Sequence, residues 1–286
     1  MTVFRVRVQR LGPSGWIGVA LLVGFGLVVV LAPVLAPFDP AAAVGPPYAP
    51  PSPANPLGTN DVGQDLLSNL VYGARASVGF GLGVAVLATA LGGLVGAGAA
   101  LLGGWAGAAL MRLVDVILVL PFLPLLIIAA AFAGRSGFVQ LVLLAGLLWT
   151  RPARIVRAQA LAALSHGYVE VAQAMGASRT RLLLRHFSHD VAPMLVPVFV
   201  RAAMLAVTLQ ATLAFLGLGD PLQASWGTML YWAQVRSVFL SDAWAWWVLP
   251  PGLAIALLVI AFGMIGIAVE DRLNPALARE TLAARG

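Results

Sequence analysis

Six long apolar runs, separated by stretches that hold most of the charge, leave this chain few folds to adopt. They cover roughly residues 16–36, 76–102, 113–133, 138–149, 193–217 and 246–268. About 20 consecutive apolar residues span a bilayer as a helix, because in lipid every backbone amide must be bonded within its own segment. With 60% hydrophobic and 10% charged residues, a soluble globular domain is excluded. The expected fold is all-α: a polytopic membrane protein with about six transmembrane helices.

The runs differ in character. The first follows Arg5, Arg7 and Arg10 and resembles a signal peptide, but it is too long for a cleaved core and reads as a signal-anchor helix. The second is rich in glycine, which permits close helix packing. In the third, Pro121 and Pro124 are expected to kink the helix. The fourth is short for a span. It reads as a helix continuing into the cytoplasm, with Arg151, Arg154 and Arg157 snorkelling at the boundary.

Orientation follows from arginine, since the chain has no lysine and no cysteine. With the N-terminus inside, the inner segments hold fourteen arginines and the outer ones only Arg75, Arg135 and Arg236. That bias places both termini in the cytoplasm. It also accounts for the basic charge better than nucleic-acid binding does. The missing cysteine rules out disulfides, iron–sulfur clusters and thiolate chemistry.

One inner segment carries a short amphipathic signal. Tyr168, Val171, Ala172 and Met175 recur at i, i+3, i+4 and i+7 and form one apolar stripe. Glu170 falls in the first turn if Gly167 is the N-cap, where a carboxylate suits the helix dipole. Gly176 stands where a left-handed stop is wanted, and Ser178 can cap a second helix. Two to three turns cannot cross a bilayer. The stripe therefore calls for a partner outside the lipid, such as a groove on another protein.

Polar residues elsewhere admit plain readings. His166, His186 and His189 lack a completing carboxylate at ligand spacing and read as solvent-facing loop residues, so no metal site is expected. Asp61 and Asp65 are four apart and could hold a cation; caps and turn bonds near Gly58, Thr59 and Asn60 explain them more simply. Asp115 is an acid within a span, and Arg112 three residues earlier is its expected ion-pair partner. Arg201, Thr208 and Thr212 share a helical face. That face is a candidate lining of a translocation path, or else Thr hydroxyls bonding back along the helix beside a snorkelling arginine. Trp226, Trp232, Trp244, Trp246 and Trp247 read as membrane-interface anchors.

Three blocks then carry a family resemblance. Glu170-Val171-Ala172 followed by Gly176 resembles the cytoplasmic Glu-Ala-Ala…Gly signature of permease subunits in ATP-binding-cassette importers. The stretch from Asn55 to Ser68 with Tyr72-Gly73-Ala74-Arg75, and Leu213 to Gly219 with Ser225-Trp226-Gly227, are similar to blocks of the dipeptide, oligopeptide and nickel permease family, second-subunit type. Arg112, Asp115 and Pro121 fit its third-helix pattern. The chain departs from the family at Val171, where Ala is usual, at Gln64, where Arg is usual, and at Ser188-His189, where Leu-Pro is usual.

The resemblance implies a type I ABC-importer permease fold with a coupling helix, and a path for peptides or for nickel and related small solutes. It implies a homologous second permease, two ATP-binding subunits and an external substrate-binding protein as partners. Tyr168, Glu170, Val171, Ala172, Met175 and Gly176 would couple to the ATPase. No catalytic residue and no cofactor are expected in this chain, which has no Walker loop; ATP and Mg would sit on the partner subunits. The location implied is a bacterial or archaeal plasma (inner) membrane. The expected organisation is residues 1–75 for the N-terminal segment, first helix and external loop. Residues 76–275 form a five-helix core with a cytoplasmic coupling loop at about 160–190, and 276–286 a cytoplasmic tail. A proton- or sodium-coupled secondary carrier is the alternative.

Overall fold

A computed structural model describes residues 12–165, 167–176, 178, 192–221 and 223–273. Among these residues the chain is helical, with only two isolated antiparallel bridges, Ala43 with Gln64 and Thr59 with Asp65. Five helices are long and apolar enough to cross a membrane, or six if one sharply bent pair counts as a span.

The first helix, α1 (Pro13–Leu35), opens with proline at its first position, where no amide hydrogen is needed. It lies against the last long helix and against α2 (Leu66–Leu102), the central post of the bundle. α2 is 37 residues long, and its sequence explains how it can be central. Its glycines form bare patches: a Cβ added at Gly81 would strike Val207, and one at Gly96 would strike the carbonyl of Ala153. Small residues let neighbouring backbones approach that closely.

α2 passes into α3 (Gly104–Val119) with almost no loop, because Gly103 and Gly104 take φ of 56° and 48°. The expected kinks in the third run resolve differently from expectation. Pro121 ends α3 and opens α4 (Phe122–Ala133), and the two helices meet at 88°. Pro124 causes no kink, since it falls in the first turn of α4, where the amide hydrogen it lacks is not used.

The fourth run continues as one helix past its arginines, as expected. α5 (Gly137–Leu148) and α6 (Thr150–Leu164) make one 28-residue span. They join through Trp149, whose amide still donates to Ala145 and whose carbonyl accepts from Ala153. Pro152 has no amide hydrogen for the carbonyl of Leu148, which accounts for the irregular turn there. The short α7 (Gly167–Ala174) follows.

α8 (Ala192–Phe215) packs against α2 and against α11 (Leu249–Leu273), completing the main core around Val78, Ala203, Val207 and Phe262. Between them lie α9 (Trp226–Val235), a 3-10 turn at Val238–Leu240 and α10 (Trp244–Trp247). Ser225 and Thr228 form a reciprocal capping box at the start of α9. Two of the expected interface tryptophans are core residues instead. Trp226 and Trp247 are each 1% exposed, and their indoles donate to the carbonyls of Leu70 and Met229. A buried indole must place its N–H, and these two reach main chain rather than lipid headgroups.

The proline-rich stretch before α2 is irregular but built. Asp65, fully buried, caps α2 by accepting from the amide and hydroxyl of Ser68, each at 2.7 Å, and from Asn55 Nδ2 at 2.9 Å. Thr59 accepts from the amide of Ala49 and donates to the carbonyl of Pro46. Gln64, the departure from the family arginine, bonds Asn60 and the carbonyl of Ala41. Asp61 lies 2.7 Å from Arg236, so its role is an ion pair between the segment before α2 and the end of α9 rather than a cap. The other end of the molecule carries Arg151, Arg154, Arg157, Arg201 and Arg272.

Candidate coupling helix and path face

α7 is where the amphipathic signal fell. Gly167 is its first helical residue rather than its cap, and Glu170 is still in the first turn. The amide of Met175 donates to the carbonyl of Val171 at 3.0 Å, closing the last turn. Gly176 then takes φ of 90°, the left-handed stop expected of it.

The helix has two distinct sides. Val171 is 61% and Met175 83% exposed, and Ala172 is half-buried. Val169, which lies off that stripe, is 1% exposed. Nothing in the periodicity marked Val169, because it is one more apolar residue beside a stripe of four. The main chain of Tyr168 and Glu170 is in α7, but their side chains lie outside the described residues. So do His166, Arg179, Arg181, Arg185, His186, Ser188 and His189, and with them the helix that Ser178 was expected to cap.

On α8 the three candidate path residues do fall on one open face: Arg201, Thr208 and Thr212 are all exposed. Both ordinary bonds are also present. Thr208 Oγ1 donates to the carbonyl of Met204 at 2.9 Å and Thr212 Oγ1 to that of Thr208 at 2.8 Å. A hydroxyl used this way keeps its lone pairs, so the face offers acceptors rather than donors. Arg201 is held by Glu270 of α11 at 2.5 Å, a partner 69 positions away that no local spacing could reveal.

Asp115 is the other correction. Its ion-pair partner is Arg154 of α6, not Arg112. Spacing of three on one helix made Arg112 the obvious choice, but Asp115 lies on the side of α3 that meets α6. Beside this pair two apolar-walled cavities open, of about 280 and 320 Å³. They share Leu148, Arg151 and Leu205, and Arg201 lines the larger one.

Comparison with known proteins settles what such a bundle is. Residues 79–279, well over half of the chain, match the family of binding-protein-dependent transport system inner membrane components. The chain belongs to that family. It is a multi-pass membrane permease subunit of an ATP-binding-cassette importer, with a transport rather than an enzymatic role. A putative peptide transport system permease protein of Brucella abortus is 38% identical to this permease over 272 residues, covering 92% of this chain and 88% of the relative. The probable D,D-dipeptide transport system permease protein DdpC of Escherichia coli K12 is 36% identical over 254 residues, 87% of this chain and 83% of its own. A putative peptide permease protein of Brucella suis is 36% identical over 220 residues, 77% and 72% of the two chains.

Proposed function

We propose that this permease forms one half of the translocation path of an ATP-driven peptide importer and transmits motion from an ATPase through α7. The relatives named for peptide transport support the substrate class, with nickel or related small solutes as the remaining choice. The working assembly is this chain, a homologous second permease, two ATP-binding subunits that carry ATP and Mg, and an external substrate-binding protein. Both termini and α7 lie on the cytoplasmic side, as the arginine distribution favours.

One observation carries the coupling role: a two-turn helix leaves Val171, and Met175 just after it, exposed while Val169 is buried. Exposed apolar side chains on a short helix outside lipid ask for a groove. Closure of the ATPases on ATP would push this lever and switch access to the cavity from outside to inside. Tyr168, Glu170 and Ala172 complete the contact, and Gly176 sets the angle at which the chain leaves it. Arg201, Thr208 and Thr212 face the path. An ion-coupled carrier would need a titratable group free near mid-span. Asp115 is instead engaged by Arg154.

Met175→Arg tests the assignment. A charge forced into an apolar contact costs several kcal/mol. ATPase retention on pull-down and peptide uptake should both collapse while the membrane level of the chain holds. Gly176→Leu should weaken coupling less, by about 1–2 kcal/mol, through strain at a left-handed position. Normal retention and uptake with Met175→Arg would remove α7 from the coupling path.

A further inference from the structure

The two cavities behind the path face hold a charge that no described carboxylate neutralises. Three arginines lie near them. Arg154 is taken by Asp115 and Arg201 by Glu270. Arg151, on the wall of both cavities, has no carboxylate partner among the described residues. Its surroundings are apolar: Leu148, Ile155, Val198 and Leu205 line the larger cavity with it.

Depth sharpens the point. Arg151 is fourteen residues along the 28-residue span that begins at Gly137, about 21 Å down a helix rising 1.5 Å per residue. That puts it toward the arginine-rich end of the bundle, beside Arg201 and so close to Glu270 near the end of α11; a guanidinium with no carboxylate at the inner end of a span is a candidate ligand group. Arg201 faces the same space from α8. Its bond to Glu270 is half-open to solvent at both ends, so it can be exchanged for another anion. A guanidinium pair walling one cavity suits a planar, bidentate anion.

We propose that Arg151 and Arg201 form a carboxylate-accepting site on the inner half of the path, which takes the C-terminal carboxylate of the transported peptide. The site rests on the reading that α8 lines that path. Arg151 supplies the standing charge, and Arg201 leaves Glu270 to complete the clamp. The other lining residues are apolar, so the two guanidiniums are the polar side chains that an anion entering the cavity meets. When the peptide leaves, Glu270 recaptures Arg201, which keeps the site from holding the peptide.

The absence of cysteine makes the test direct. Ile155→Cys puts a single thiol on the cavity wall, and Val198→Cys does so from the other side should the first variant fail to assemble. In the assembled transporter, modification of this chain by an anionic methanethiosulfonate reagent should outpace a cationic one. The expected ratio is on the order of tenfold, relative to the same reagents on free cysteine. Arg151→Gln should bring that ratio near one, and Arg151→Lys should keep most of it. Millimolar dialanine should slow the anionic reagent, and dialaninamide should not.

Equal relative rates for the two reagents overturn the proposal, and so does equal protection by the two dipeptides. Protection by phosphatidylglycerol instead of dialanine assigns the cavity to a lipid headgroup and also overturns it. A ratio present in this chain alone but absent from the assembled transporter does the same, by giving Arg151 to an acid on the companion permease. The path reading fails separately: if full modification of the introduced thiol leaves uptake unchanged, α8 does not line the route, whatever the charge ratio.

Discussion

The indole N–H of Trp226 donates to the main-chain carbonyl of Leu70 at 2.9 Å, joining α9 to the first turns of α2 across 156 residues of sequence. The ring lies against Gly73 and meets Phe25 of α1 edge-on at 5.6 Å, so one side chain ties three elements together. Trp226→Phe keeps most of the apolar contact and loses the bond, at about 1–2 kcal/mol. Trp226→Ala also leaves a cavity, at about 3–5 kcal/mol. Thermal unfolding of the solubilised chain should rank them in that order. An unchanged midpoint for Trp226→Ala would mean that the contact is not structural.

The Asp61–Arg236 pair fastens the segment before α2 to the end of α9, and the arginine is nearly half exposed. Screening limits its worth to about 1 kcal/mol or less. Reversing one charge should therefore barely move global stability, yet should raise the rate of protease cleavage within residues 37–65 several-fold. Exchanging both charges, Asp61→Arg with Arg236→Asp, should restore resistance. Cleavage that ignores all three variants would assign the fastening to the Asp65 network instead.

Two glycines two residues apart on α2 should respond oppositely. Gly96→Ala drives a methyl into the carbonyl of Ala153 on α6 and should cost about 1–3 kcal/mol. Gly98 has open space around its Cβ position, so Gly98→Ala should stabilise the helix by about 0.5–1 kcal/mol. Melting midpoints of the two variants decide it; a shift of the same sign in both would contradict the close approach of α2 and α6.

Orientation is measurable with single introduced cysteines. Tyr48→Cys and Val235→Cys should react with an impermeant thiol reagent on intact cells, and Arg181→Cys and Arg279→Cys only after lysis. Labelling at position 181 from outside would reverse the topology and withdraw α7 from any ATPase.

Much of this was legible in the residues themselves. Run length and composition give the count of spans, because backbone bonding in lipid allows few alternatives. Gly176 at the end of a four-residue apolar stripe gives a helix stop, because φ of 90° suits glycine. What stayed hidden depends on contacts remote in sequence. The partners of Asp115 and Arg201 are 39 and 69 positions away, on other helices. Trp226 and Trp247 have the composition of interface anchors, and only the fold of the segments before and after them buries their rings. Pro121 announced a disturbance, but its size depends on how α4 packs against α5.

That elbow bears on how long the molecule survives in the cell. At 88° the chain leaves the carbonyls of the last turn of α3 without helical donors, and Val119, Leu120 and Pro121 at the bend are exposed. A subunit carrying such a defect on its surface should be a substrate for membrane proteolysis until a companion covers the bend. Its half-life in a pulse-chase should lengthen when the second permease is made alongside it. An equal half-life with and without the companion would mean that the elbow is already shielded within this chain. In the first case the bend makes stoichiometry self-correcting: unpaired permeases are removed, and only matched pairs persist long enough to meet their ATPases.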